Sequence, residues 1–218
     1  MNDPRTYPLK EILPEPTLRR LPWYLAFVTL LRDRGVEYVS STSIAKELNV
    51  DASQIAKDLS FLNIKGKTRI GYEVEGLEHE LRDFLGFSDV HNAIVVGAGS
   101  LGSALMQDSG LERYGLNIVA GFDVNPDRIG RRIGSIEVFP LAKLGEVAQE
   151  LDVSVGIVTV PFEAAQTVAD ACMEAGISAL WNFTPCRIRV IDGVVIQNTS
   201  IYSNLAIMYN RLDRLRRQ

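Results

Sequence analysis

Cysteine and histidine are nearly absent from this chain, and each scarcity removes a class of chemistry. The 218 residues hold only Cys172 and Cys186. The pair is too sparse for a disulfide framework, and no C-x-x-C spacing offers a zinc site. Cys172 falls in an apolar helical stretch that suits a buried thiol. The only histidines are His79 and His91. The first falls on a predicted helix and the second opens a predicted strand, so neither stands where a general acid or base would work. No apolar run approaches the roughly 20 residues of a membrane helix. Residues 1–16 carry charge and four prolines where a signal sequence would carry an apolar core. There is no internal repeat and no low-complexity tract. The expectation is a cytoplasmic protein with no catalytic residue, no metal and no membrane partner.

What is present describes an ordinary soluble chain with a real core, 46% hydrophobic and 23% charged, long enough for two small domains. The net charge of −4 speaks against nucleic acid as a partner of the whole chain. Its distribution speaks differently. Acidic and basic residues nearly balance over the first 85 residues, where Lys57, Lys65, Lys67 and Arg69 cluster and Arg19 adjoins Arg20. A local basic face neutralises phosphates whatever the total.

Residues 1–86 read as a small helical domain. Thr17 is the expected cap of a helix over 17–34, with Leu21, Leu25, Val28 and Leu31 at helical spacing and Gly35 as its stop. Pro22 either kinks the start of that helix or marks its true first turn. Ser41 or Thr42 should cap a helix over 43–48, and Asp51 one over 52–63. In the latter Ile55, Leu59 and Leu62 point inward, while Ser53, Gln54, Lys57 and Ser60 lie on or near a polar face. Two short helices joined by a tight turn form a helix-turn-helix pattern. Residues 65–72 hold three cations, two glycines and Tyr72, which suits a β-wing tracking a phosphate backbone. A further helix over 74–85 ends at Gly86. Ser53, Gln54 and Lys57 are the base-edge candidates; Gln suits adenine, and Lys suits guanine or phosphate. Lys65, Lys67, Arg69 and Tyr72 are candidates for the backbone or minor groove, and Arg20 and Ser60 complete the DNA-binding set. Asp58 would be repelled by phosphate and is expected to pair with a local cation.

The pattern then changes to strand–helix alternation. Strands are expected at 93–97, 117–123, 136–139, 153–159, 178–182 and 194–196, and helices at 100–109, 141–150, 162–175 and 200–216. Nearly all-apolar strands separated by helices indicate a parallel, doubly wound α/β sheet. The expected boundaries are a winged helix over 1–86, a Rossmann domain over 87–198 and a terminal helix over 199–218. In that helix Ile201, Leu205, Met208, Leu212 and Leu215 step by four and three, a coiled-coil-like seam. It fits a partner subunit better than its own sheet.

Gly97-Ala98-Gly99-Ser100-Leu101-Gly102 directly follows the first of these strands and opens a helix. The first glycine permits the tight turn, the second lets the backbone approach a pyrophosphate, and the third allows close helix–strand packing. Asp123 closes the next strand and suits the adenosine ribose hydroxyls. It would repel a 2′-phosphate, which favours NAD(H) over NADP(H), although Arg128, Arg131 and Arg132 lie downstream. Val124, the Thr159-Val160-Pro161 stretch and Asn182, with Phe183-Thr184-Pro185 behind it, fall at the carboxyl edge of the sheet, where such folds bind ligand. The cofactor expected is NADH or NAD+. A coenzyme pocket fused to a DNA reader suggests a sensor. The alternative is an NAD-dependent oxidoreductase with a helical accessory domain, disfavoured by the missing acid–base group and the lack of chain for a substrate domain.

Taken in order, several stretches resemble the Rex family of redox-sensing transcriptional repressors over nearly the whole chain. They are Arg20-Leu21-Pro22-Trp23-Tyr24, Gln54-Ile55, Lys57-Asp58-Leu59-Ser60-Phe61, Gly71-Tyr72, the glycine turn, Phe122-Asp123-Val124-Asn125, Thr159-Val160-Pro161 and Asn182-Phe183-Thr184-Pro185. The resemblance implies a homodimer whose terminal helices swap between subunits. It also implies a palindromic double-stranded operator and release from DNA by NADH, with NAD+ compatible with binding. Two positions depart from the family pattern: Ala56 stands for an arginine of the recognition helix, and Ser200 for an aspartate near the start of the terminal helix.

Overall fold

A computed structural model describes residues 13–217. The chain divides into two compact units, the first ending at Asp89 and the second beginning at Val90.

The first unit contains α1 (Glu15–Asp33), β1 (Tyr38–Val39), α2 (Ser41–Leu48), α3 (Ala52–Leu59), β2 (Tyr72–Glu73) and α4 (Val74–Leu85). Leu21, Tyr24, Leu25 and Val28 of α1 share one core with Ile44, Ile55, Leu59, Leu77 and Leu81. Helix α1 starts two residues ahead of expectation, with Pro14 at the cap and Pro16 in the first turn, where a missing N–H costs little. Thr17 is therefore not a cap; it is buried inside the helix. The helix runs on through Pro22 to Asp33, and Gly35, with φ +73°, stands just past its end. Ser40, one residue ahead of the candidates, caps α2 by accepting from the Ser43 N–H at 3.0 Å. Asp51 caps α3 through the Ser53 N–H at 2.7 Å, as expected. Helix α3 stops at Leu59 instead of 63. The wing is minimal: β1 and β2 pair antiparallel, and Lys67 and Gly71 exchange backbone hydrogen bonds across a tight turn. Gly71 adopts φ +112°, and a Cβ there would overlap the Val39 carbonyl. Helix α4 and its Gly86 stop lie where the sequence placed them.

The second unit is built on seven strands: β3 (His91–Val96), β4 (Leu116–Asp123), β5 (Arg132–Ile133), β6 (Ile136–Pro140), β7 (Val155–Val158), β8 (Ala179–Asn182) and β9 (Val195–Asn198). Their order is β5-β6-β4-β3-β7-β8-β9, parallel except for β5 at one edge. Without β5 this is the doubly wound Rossmann order. Helices α5 (Ser100–Met106), α6 (Leu144–Glu150) and α7 (Ala165–Glu174) make the crossovers. One face of the sheet buries Ile94, Val96, Ala120, Phe122 and Val158; the other buries Ala93, Val95, Ile118, Val138 and Ile157. Burial on both faces is why these strands read as unbroken apolar runs. Cys172 is fully buried, and burial pushes its thiol up to about 12. The edge strand β5 was not expected, because two residues carry no periodicity. Helix α8 (Ile201–Arg216) closes the chain, and none of its residues is buried. The seam is not laid on its own sheet: Met208 is 52% and Leu215 69% exposed.

Replacing Asp51 by alanine removes the α3 cap and should cost about 1 kcal/mol of first-unit stability. Asp51→Ser should recover most of it. Chemical unfolding followed by circular dichroism measures both.

Candidate functional site

Strand β3 runs directly into the glycine turn, and the three glycines differ in what surrounds them. Gly97 adopts φ +102°, and a Cβ there would meet the Thr159 backbone at 2.8 Å. A Cβ on Gly102 would overlap the Gly97 carbonyl oxygen. The Thr159 hydroxyl, at the end of β7, donates to the Gly97 carbonyl at 2.8 Å and holds the turn from below. Gly99 is open: the nearest atom to a Cβ there is Arg128 Nη1 at 3.7 Å. It is the place along the turn where a ligand can approach the backbone.

Asp123 sits at the end of β4, next to that opening, 8% exposed. It accepts from the Ala98 N–H at 2.8 Å, the Asn125 N–H at 2.9 Å and Arg128 Nη1 at 3.0 Å. Burial acts to raise its pKa, but the Asn125, Arg128 and Ala98 hydrogen bonds outweigh it and hold the carboxyl below its usual range. A cavity of about 430 Å³ opens here, lined by Gly97, Gly99, Asp123, Val124, Arg128, Thr159, Val160 and Pro161, with an apolar wall of Leu141, Ala164 and Val168. Ala98, Ser100, Leu101 and Gly102 belong to the turn but not to this lining. Asn182 is also outside it. Its side chain is turned into the protein, accepting from Thr184 and donating to the Cys186 carbonyl and Asn198. The Asp123–Arg128 ion pair was not anticipated. Its cause is local: the Asn125 side chain accepts from the Asp127 N–H at 2.9 Å, folding the loop back so that Arg128 reaches Asp123.

On α3, Ser53 and Lys57 are exposed and Gln54 is half-buried; Ser60, also exposed, caps its C-terminus. Asp58, one turn beyond Gln54 and turned inward, has no solvent exposure. It accepts from Arg20 Nε and Nη2 at 2.7 and 2.8 Å, Tyr24 OH at 2.7 Å, Gln54 Nε2 at 2.8 Å and Thr17 Oγ1 at 3.1 Å. Burial works to raise its pKa, but these donors, Arg20 foremost, hold it below the usual carboxylate range. The expected local cation is thus Arg20, which is turned toward Asp58. In the wing, Lys65, Lys67 and Arg69 are exposed and Tyr72 is half-buried. Lys67 Nζ donates to Tyr38 OH at 2.6 Å and lies 4.6 Å from the ring centre. Hydrogen bonding to Tyr38 raises its pKa, so it stays charged. A shallow surface cavity joins this wing, at Gly66, Lys67, Arg69 and Tyr72, to the start of α2 at Ser40, Ser41 and Thr42. Among the described residues no group of His, Cys, Asp and Glu could hold a metal ion, and no helix is long and apolar enough to cross a membrane.

Comparison with known proteins agrees with both halves. Residues 12–60 match the family described as "Putative DNA-binding protein N-terminus", and residues 89–186 match "CoA binding domain". The redox-sensing transcriptional repressor Rex of Bacteroides fragilis is 56% identical, over 92% of this chain and 91% of that one. Rex of Porphyromonas gingivalis is 54% identical, over 93% of each. Among solved structures, RSP in complex with NAD+ and operator DNA superposes with a TM-score of 0.89 at 33% identity, covering 95% of both chains. RSP in complex with NADH gives 0.83, also at 33% identity, covering 95% of this chain and 97% of that one. A winged helix followed by a Rossmann unit with an open glycine turn defines a ligand-responsive transcription regulator. Within that class, the chain belongs to the Rex family of redox-sensing transcriptional repressors.

The glycines offer a clean separation of fold from site. Gly102→Ala should destabilise the second unit by several kcal/mol, because the turn must open to admit the methyl group. Gly99→Ala should melt within about 1 °C of the wild type, since its methyl group would meet only the Arg128 guanidinium at an ordinary contact distance. Differential scanning fluorimetry distinguishes the two.

Proposed function

We propose that this chain is a homodimeric repressor of transcription whose hold on operator DNA is set by the ratio of NADH to NAD+. The observation that carries the reading is the cavity in which an open Gly99 adjoins the carboxylate of Asp123. A dinucleotide needs both: a backbone with no side chain in the path of its pyrophosphate, and an acceptor for its ribose hydroxyls. Gly97, Ala98, Ser100, Leu101 and Gly102 form the turn that presents Gly99. Val124 flanks the adenosine end, and Thr159, Val160 and Pro161 flank the nicotinamide. Asn182 holds the neighbouring strand end from behind. Oxidised nicotinamide carries a positive charge that the reduced ring lacks, and an apolar wall favours the neutral ring.

In this reading the first unit presents Ser53, Gln54 and Lys57 of α3, with Ser60 at its end, to the major groove, and Lys65, Lys67, Arg69 and Tyr72 to the backbone. Arg20 acts from behind, through Asp58. The uncovered stripe of α8 supports a dimer in which that helix packs on the partner subunit, with domains divided at 86 and 198. A two-fold protein reads a palindrome, and coenzyme binding changes the spacing of its two reading helices. The protein is a regulator without enzymatic turnover, and its place is the cytoplasm.

Fluorescence anisotropy on a palindromic duplex at fixed salt tests the scheme. Saturating NADH should weaken DNA binding by roughly 5- to 150-fold, whereas NAD+ should leave it near the apo value. Linkage is reciprocal, so the duplex must weaken NADH binding by the same factor. Equal operator affinity in both coenzymes would end the proposal.

Asp123→Ala should weaken NADH binding about tenfold or more, because it removes charge-assisted hydrogen bonds to the ribose. It also frees Arg128, so discrimination against NADPH should fall. Calorimetric titration of both coenzymes reads out the two effects.

A further inference from the structure

Gln54 is the one half-buried member of the candidate reading set on α3, and its orientation is fixed by a group that never reaches the surface. Asp58 lies one helical turn further on, and its carboxylate receives the Gln54 Nε2 at 2.8 Å. A carboxylate accepts hydrogen bonds and donates none, so the amide nitrogen must face it. Flipping the amide would set Gln54 Oε1 against the Asp58 carboxylate. The other donors, Arg20, Tyr24 and Thr17, hold that carboxylate in place from α1 and keep it ionised. With one amide hydrogen engaged inward, Gln54 keeps its carbonyl oxygen and its second N–H for a ligand.

We propose that Asp58 is a positioning residue for base recognition, locking the Gln54 amide in the polarity that reads adenine and rejects guanine. Adenine shows the major groove a donor at N6 beside an acceptor at N7; guanine shows two acceptors, O6 and N7. The locked amide, with an oxygen and one N–H, matches the first pattern. It sets its carbonyl against the O6 of the second. A free glutamine would turn over and accept either. This inference rests on the reading that α3 enters the major groove.

Selection from a library of randomised duplexes, followed by anisotropy on the selected site, tests it with the full-length dimer. In the wild type, one base pair per half-site should prefer adenine over guanine by roughly tenfold or more. Gln54→Met keeps the Arg20, Tyr24 and Thr17 hydrogen bonds to Asp58 and should erase that preference at this base pair alone. Asp58→Asn offers Gln54 a donor, so the amide turns over and the preference should shrink or reverse toward guanine. A Gln54→Met protein with an unchanged base profile overturns the proposal. So does a Gln54-dependent position that prefers guanine. So does a folded Asp58→Asn protein that loses affinity equally for all bases, the result expected of a purely structural role. If Asp58→Asn fails to fold, the wild-type polarity and Gln54→Met decide. A wild type that binds no duplex removes the DNA-binding reading itself; binding with the wrong base profile removes only this inference.

Discussion

A carboxylate sealed from water has to be answered inside the protein, and Asp58 is answered five times. Its side chain has no exposure, and its donors are Arg20, Tyr24, Thr17 and Gln54. Removing one partner of such a pair leaves a charge stranded, at a cost of about 3–5 kcal/mol. The arrangement therefore does more than add stability. It fixes the roll of α3 about its own axis, because Asp58 must face α1 while Ile55 and Leu59 face the core. Once that roll is set, Ser53, Lys57 and Ser60 have only one side left to face, the solvent. The exposed face of α3 is determined by the buried acid behind it.

The second unit is governed by close approach of backbone to backbone. Gly97 and Gly102 sit where a methyl group would strike the Thr159 backbone and the Gly97 carbonyl, so strand, turn and helix are held within van der Waals contact. A Cβ on Gly99, between them, would come no nearer than 3.7 Å to any atom, Arg128 Nη1. The contrast divides the turn into two tight corners and one opening, and the opening falls beside Asp123. That carboxylate bonds the Ala98 N–H of the turn and the Asn125 N–H of its own loop. It thereby ties the carboxyl ends of β3 and β4 together around the place where a ligand would lie.

Much of this was legible in the sequence because it rests on periodicity and on residues with a single conformational use. The buried sheet announced itself through apolar runs, α4 through its pattern and Gly86, and α3 through Asp51. What was not legible depended on contacts across the chain. Thr17 looks like a helix cap but spends its hydroxyl on Asp58, 41 residues away. Arg20 looks like a phosphate ligand, yet its guanidinium is engaged by the same acid. Arg128 is, in the sequence, only a cation downstream of Asp123; the Asn125 turn folds it onto that carboxylate. Asn182 has the residue type of a ligand contact, but its hydrogen bonds are all taken by the neighbouring strand and loop. Strand β5 is too short to carry any pattern at all.

Cys172, at the back of the sheet, carries a consequence of its own. A thiol held near a pKa of 12 is almost never a thiolate at neutral pH, and only the thiolate is attacked readily by peroxide. Buried and neutral, the Cys172 sulfur of this redox regulator is a poor target for oxidants. The packing behind the sheet is thereby insulated from oxidative damage at this position.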